Sequence, residues 1–248
     1  MIDIHCHVLP AISGDDGAGD SEAAEQMLNL AAGEGISSLI CTPHFSQKGL
    51  SDIPRSAELL RSPAAAVNIQ IHTGTEYKFS NLLNQDFDQL VTLADTRFLL
   101  IDFAMNTLPP AAEKIAYDLH SKGYHLIAAH PERLFNDKKD FERLAGMGFY
   151  FQITSGVLLG KFGNYHMNLA YQLIASGYCH YIASDAHGEH RPFHMKACYE
   201  RLADRFGEDF ANLVFHVNPQ RLLDNKAPLN PYPHKRNFIQ YISDIVRH

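Results

Sequence analysis

No uninterrupted apolar stretch approaches the roughly 18 residues that a membrane-spanning helix needs, so no membrane insertion is expected. The start, Met-Ile-Asp-Ile-His, lacks the basic and apolar regions of a secretory signal, and a cytoplasmic location is the expectation. Cysteine is sparse. Cys6, Cys41, Cys179 and Cys198 form no Cys-x-x-C pair and read as reduced, mostly buried thiols. None of them begins a Cys-x5-Arg run, which excludes a thiolate phosphatase loop. Basic blocks are missing too. Lys and Arg number 21 against 28 Asp and Glu, a formal charge of −7, whereas wrapping nucleic acid needs clustered cations. There is no Gly-x-Ser-x-Gly elbow, and the glycine-rich stretch 14–19 matches neither a dinucleotide fingerprint nor a P-loop.

What is abundant is histidine. The 15 His residues are scattered rather than run together as in a tag, and His is both the commonest metal ligand and a near-neutral acid–base group. Their placement matters more than their number. Short apolar, β-prone runs at 2–5, 38–42, 69–73, 98–103, 125–129, 149–154 and 181–184 alternate with helix-like segments. The first such helix is capped by Asp20 or Ser21, with Ala24, Met27, Leu28 and Ala31 on one face. Continuous apolar strands separated by helices predict a parallel sheet covered on both faces. Seven β/α units in about 220 residues fit a TIM-like α/β barrel better than two open sheets. Pro54 and Pro63 are expected to limit helix between the second and third strands. Composition shifts after about Asp224, where Pro228, Pro231 and Pro233 precede a helix-like stretch at 237–246. The expected division is a catalytic barrel at 1–223 and a C-terminal arm with a short helix at 224–248, packed on the barrel or on a subunit neighbour.

Polar residues that look misplaced fall at the ends of these strands. His5 and His7 follow the first, His44 the second and Glu76 the third. Asp102 lies within the fourth, His130 ends the fifth, and Asp185 and His187 end the seventh. In β/α barrels the loops at the C-terminal strand ends converge on the active site. Residues i and i+2 of a strand share a face, so His5 and His7 point one way and Cys6 the other. His-x-His with a distant Asp-x-His suits zinc, manganese or iron. Asp15-Asp16-Gly17 is a plain turn by composition, but its place one loop after His-x-His adds Asp16 as a candidate ligand. Three divalent ions would outweigh Asp16, Glu76, Asp102 and Asp185 by about two charges, and Arg133 and Arg191 would add to that excess. Such a pocket attracts a phosphate dianion, and metal-activated water beside it makes a phosphomonoesterase.

The motifs Asp3-Ile4-His5-Cys6-His7, Asp15-Asp16-Gly17, Thr42-Pro43-His44, Ala129-His130-Pro131-Glu132-Arg133 and Ala183-Ser184-Asp185-Ala186-His187 with Arg191-Pro192 resemble the PHP (polymerase and histidinol phosphatase) superfamily. Phe103-Ala104-Met105-Asn106 and Gln152-Ile153-Thr154-Ser155-Gly156 are similar to its CpsB/YwqE-type protein-tyrosine phosphatase branch. The resemblance spans roughly residues 1–223. It implies a distorted (β/α)7 barrel with three divalent metal ions, commonly manganese or iron and sometimes zinc or magnesium. By it, His5, His7, Glu76 and Asp185 would hold one ion, and Glu76, Asp102 and His130 a second, with Glu76 bridging. Asp16, His44 and His187 would hold the third. Arg133 and Arg191 would contact phosphate, with Asp185 also catalytic. The implied substrate is the phosphotyrosine tail of a bacterial tyrosine kinase that controls capsule or exopolysaccharide synthesis. The strand-four ligand of the family is typically Glu; Asp102 is one methylene shorter, which predicts a shifted or weaker second site. Two other readings stand beside this one: a phosphatase of small phosphomonoesters, and a non-catalytic metal-bound partner of an export complex. Oligomeric state is left open, a homo-oligomer included.

Overall fold

The structure, a computed structural model, describes residues 1–135 and 137–230. Among them, β1 (Ile2–Cys6) leads to α1 (Ser21–Gly33), and β2 (Ser38–Cys41) to α2 (Gln47–Ala66). Then come β3 (Gln70–Thr73), β4 (Glu76–Lys78), the short α3 (Phe79–Leu82), β5 (Phe98–Asp102) and α4 (Ala112–Ser121). β6 (His125–Ala129) precedes α5 (Lys138–Gly146), and β7 (Tyr150–Thr154) runs into α6 (Ser155–Leu158) and α7 (Asn164–Ala175). β8 (Tyr181–Ala183) is followed by α8 (Met195–Phe206), α9 (Glu208–Asn212) and α10 (Asn218–Leu223). As expected from the sequence, Asp20 caps α1, accepting from Ala23 N, and Ala24, Met27, Leu28 and Ala31 are its buried face.

Among the described residues every ladder is parallel, in the orders β1-β2-β3 and β4-β5-β6-β7-β8. The eight strands of the described residues make seven staves, because β3 and β4 are one bent stave. β3 pairs with β2 residue by residue, and past the bend Glu76 bridges His44, beyond the end of β2. The bend falls at Gly74, where a Cβ would sit 2.8 Å from Leu93 Cδ2. The ring closes between β8 and β1. Asp185 N donates to His5 O (2.9 Å) and His7 N to Ala186 O (2.9 Å). Buried Asp3 reinforces the seam, accepting from Ser184 N (3.0 Å) and Ser184 Oγ (2.5 Å). The distorted (β/α)7 barrel is therefore present, with its two joints made by single bridges rather than long ladders.

The interior has two storeys. Ile2, Ile4, Ile40, Phe98, Leu100, Ile127, Ala129, Tyr181 and Ala183 form one apolar cluster with Leu222 of α10. Alternate residues of the same strands, such as Leu39, Leu99, Ile101, Leu126 and Ala128, pack outward with the helices. Polar residues take over where the strands end. In β1 this needs a change of parity. Asp3 pairs with Leu39 but Cys6 with Cys41, so three steps of β1 match two of β2, a bulge. The bulge lets both Ile4 and His5 face inward while Cys6 joins the outer layer, its thiol donating to Ile40 O at 3.6 Å.

Two expectations change. α2 runs through Pro54 and Pro63 for 20 residues. Pro54 is exposed and Pro63 half-buried, while Ile53, Leu60 and Ala64 are buried and hold the helix to the core. Glu76 begins a strand of its own rather than trailing the third. The expected C-terminal helix at 237–246 lies outside the described residues. The start of the arm, 224–230, is fastened to the barrel: Leu229 N donates to Asn218 Oδ1 (2.8 Å) and Arg97 N to Asn225 Oδ1 (2.8 Å).

Leu222 plugs the floor of the interior with no solvent exposure. Leu222→Ala should destabilise the fold by about 2–5 kcal/mol in urea unfolding. A loss below about 1 kcal/mol would show that the floor is not sealed there.

Candidate metal centre

Glu76 is the hub of the upper storey. It is fully buried, and its contacts are imidazoles: His130 Nε2 at 2.8 Å from Oε1, and His44 Nδ1 (2.8 Å), His5 Nε2 (3.5 Å) and His7 Nε2 (3.7 Å) around Oε2. Among the described residues no Lys or Arg pairs with it. Burial alone would raise its pKa. The charge on His5, with the hydrogen bond from His130 and the close imidazoles of His44 and His5, outweighs that and holds it well below the ordinary carboxylate value. His7 is pulled the other way. Burial lowers it, but hydrogen bonds to Asp15 and Asp185 dominate and raise it to about 10.

Asp185 links this cluster to the arginines. Its Oδ1 faces His5 Nε2 (3.3 Å) and His7 Nε2 (3.5 Å), while Oδ2 takes Arg191 Nη1 (2.7 Å) and Arg133 Nη1. Burial opposes its charge, yet His5, His7 and His130 keep it well below the usual range. Arg133 also stacks over the Phe162 ring at 4.9 Å. Two strand ends turn inward through left-handed backbone, His130 at φ 32° and Asp185 at φ 52°, conformations that cost energy for side-chain-bearing residues.

A third group lies at the mouth. Asp16 Oδ1 is 3.3 Å from His44 Nε2 and 3.1 Å from His187 Nε2. The loop that carries Asp16 is set by its neighbours. Asp15 binds His7 Nδ1 (2.7 Å) and accepts from His44 N (2.9 Å). A Cβ on Gly17 would lie 2.1 Å from His7 O, so only glycine lets the loop approach this closely. His187 is lowered to about 4 by burial and the nearby charge of His7.

Several donor atoms here are buried without a hydrogen bond: Glu76 Oε2, His44 Nδ1, His130 Nδ1 and His187 Nε2. Some are close to a partner but misaligned, as His44 Nδ1 is to Glu76. Buried polar atoms are rarely left so, and a cluster of them among imidazoles and carboxylates fits divalent cations. Four sets place one ligand-type atom from each member within 4.8 Å of the others: His5, His7 and Glu76; His5, His130 and Asp185; Glu76, Asp102 and His130; and His7, Asp16, His44 and His187.

All nine metal-ligand candidates from the sequence therefore meet in one place, with Arg133 and Arg191 at its edge. Asp102 reaches the set with Glu76 and His130 despite its shorter arm, and its Oδ1 also accepts from Ala104 N (2.8 Å). Sequence reasoning missed three supporting residues. Gln152 Oε1 contacts His5 Nδ1 (3.0 Å) and accepts from His130 N (3.2 Å). Asp15 orients His7 and His44, and Asp3 closes the seam below them. Gln152 and Asp3 each carry the signal that marked Asp102, a lone polar residue inside an apolar strand.

The barrel fold itself is found in other solved structures. An amidohydrolase from Mycoplasma synoviae superposes with a TM-score of 0.59 at 12% identity, covering 100% of this chain and 95% of that one. That likeness concerns fold alone. Residues 1–224 match the family model described as capsular polysaccharide synthesis, CpsB/CapC, and the chain belongs to this family. Tyrosine-protein phosphatase YwqE of Bacillus subtilis is 35% identical over 250 residues, covering 95% of this chain and 97% of that protein. Tyrosine-protein phosphatase CpsB of Streptococcus agalactiae is 28% identical, covering 91% and 99%. A chain from the crystal structures of YwqE from B. subtilis and CpsB from Streptococcus pneumoniae, described as metal-dependent tyrosine phosphatases, superposes with a TM-score of 0.85 at 34% identity, covering 94% and 98%.

The raised pKa of His7 has a consequence for stability. Its paired, charged form contributes stability that is fully present below about pH 6.5 and is lost as pH rises through about 10. Chelator-treated protein should have a lower urea midpoint at pH 9 than at pH 7, and Asp15→Asn should remove most of that difference. A midpoint unchanged between the two pH values would contradict the His7–Asp15 pairing.

Proposed function

We propose that this chain is a metal-dependent phosphomonoesterase that removes phosphate from tyrosine residues, its substrate the phosphotyrosine tail of a bacterial tyrosine kinase governing capsule or exopolysaccharide synthesis. The observation that carries the reading is the pairing of a buried His-carboxylate cluster with two arginines converging on one of its carboxylates. The named activities of the YwqE and CpsB relatives support it. His5, His7, Glu76 and Asp185 would hold one ion, Glu76, Asp102 and His130 a second, and Asp16, His44 and His187 a third. The mixed imidazole and carboxylate donors suit manganese or iron, and zinc or magnesium are compatible. Bound there, divalent ions would polarise the phosphoryl group and lower the pKa of water to near neutrality.

The chain's own groups do the rest. Arg133 and Arg191 lie beside Asp185 at the cluster edge, placed to hold non-bridging phosphoryl oxygens as charge spreads over them. Gln152 fixes the ring of His5, and Asp15 that of His7, so the ligands need little reorganisation. Phenolate leaves readily, which removes the need for a dedicated acid. Buried Cys6, Cys41, Cys179 and Cys198 take no part, burial raising the pKa values of Cys6, Cys179 and Cys198. In this reading residues 1–223 are the catalytic barrel and 224–248 an arm, and the protein works in the cytoplasm. Among the described residues no helix is long and apolar enough to cross a membrane.

The test is elemental analysis of the purified protein together with hydrolysis of p-nitrophenyl phosphate, a phosphotyrosyl peptide and histidinol phosphate, with and without chelator. Metal should co-purify, chelator should abolish turnover, and the phosphopeptide should be preferred to histidinol phosphate. Arg133→Ala should lower kcat about 10²–10³-fold with circular dichroism unchanged. Chelator-insensitive hydrolysis would contradict the proposal.

A further inference from the structure

Beside the mouth of the cluster a pocket opens whose near wall is His187 and Arg191 and whose far wall is Lys161, Phe162, His190 and His194. Its floor is Gly156. A Cβ there would lie 3.3 Å from Phe162 Cε2, 3.4 Å from His194 Cδ2 and 3.8 Å from Lys161 Cβ, so the far-wall side chains gather over the one position that carries no side chain. The Phe162 ring that lines this pocket is the ring on which Arg133 stacks. The pocket is thus continuous with the edge where Arg133 and Arg191 meet Asp185.

Its charge balance is unusual for a chain of net −7. Arg133 and Arg191 are engaged with Asp185, but Lys161 is exposed and has no ion-pair partner among the described residues. Asp16 is the acid on the lining, and its carboxylate lies against His44 and His187. Glu34 stands behind His194, with its oxygens taken by the backbone amides of His194 and Lys196 (both 3.1 Å). The far wall therefore presents a free cation next to an aromatic face.

We infer that this pocket is a subsite for residues flanking the phosphotyrosine, and that Lys161 selects peptides carrying an Asp or Glu side chain there. The inference rests on the phosphotyrosine reading above. A phosphoryl group held by Arg133 and Arg191 puts the adjoining peptide at the pocket mouth. A carboxylate there meets Lys161 within a protein whose remaining charge would repel it.

Two phosphotyrosyl peptides, identical except for Glu or Gln at the positions flanking the phosphotyrosine, test it against the manganese-loaded protein. The Glu peptide should have a kcat/KM about fivefold higher, expressed in KM, and raising salt should narrow the gap. Lys161→Glu should abolish or invert the preference and Lys161→Arg should keep it. Equal handling of the two peptides by the unaltered protein, or an unchanged preference in Lys161→Glu, would overturn the subsite while leaving the phosphatase reading intact. Hydrolysis of neither peptide would overturn the phosphatase reading and the subsite together.

Discussion

A buried carboxylate ringed by imidazoles sets the terms for this molecule. Glu76 is fully buried, and four imidazoles make its contacts. Burying an ion costs several kcal/mol unless opposite charge compensates it. Imidazole supplies that charge only by holding protons, which is why His5 and His7 are raised while Glu76 and Asp185 are lowered. Divalent ions would supply it instead and leave the imidazoles neutral. The same donors serve both states, so protons and metal compete for one cluster.

The barrel exists to hold that cluster at the right depth. The apolar storey beneath it, from Ile2 to Leu222, excludes water from below. Asp3 and Ser184 tie β1 to β8 one layer under His5 and Asp185. The bulge in β1, the bend at Gly74 and the left-handed residues His130 and Asp185 each cost local regularity. Each also turns a ligand-type side chain inward where a regular strand would have turned it away or ended too soon. Irregularity in this fold is concentrated at the strand ends that carry the chemistry.

Much of this was legible from the residues. Strand and helix periods marked seven β/α units, and polar side chains at strand ends located the site, because a carboxylate or imidazole in an apolar strand is too costly to be incidental. Alternation correctly put His5 and His7 on one face against Cys6. It did not foresee that Ile4 shares their face, since a bulge is a pairing between strands distant in sequence. Nor did it separate β4 from β3, because the close approach of Leu93 that requires glycine at position 74 is a contact between segments distant in the chain. Pro54 and Pro63 misled because propensity ignores which side of a helix faces water. The supporting roles of Gln152 and Asp15 depend on partners far along the chain or on loop conformation, neither of which a local pattern contains.

The family relation and the geometry meet in Asp185, which faces the imidazoles with one oxygen and both arginines with the other. It couples the groups that would hold metal to the groups that would hold phosphate. The most direct measurement of the central claim is anomalous diffraction at the manganese edge from manganese-loaded crystals. The account predicts three peaks: one among His5, His7, Glu76 and Asp185, one among Glu76, Asp102 and His130, and one among Asp16, His44 and His187. A cluster without anomalous density in protein shown to carry manganese would contradict it.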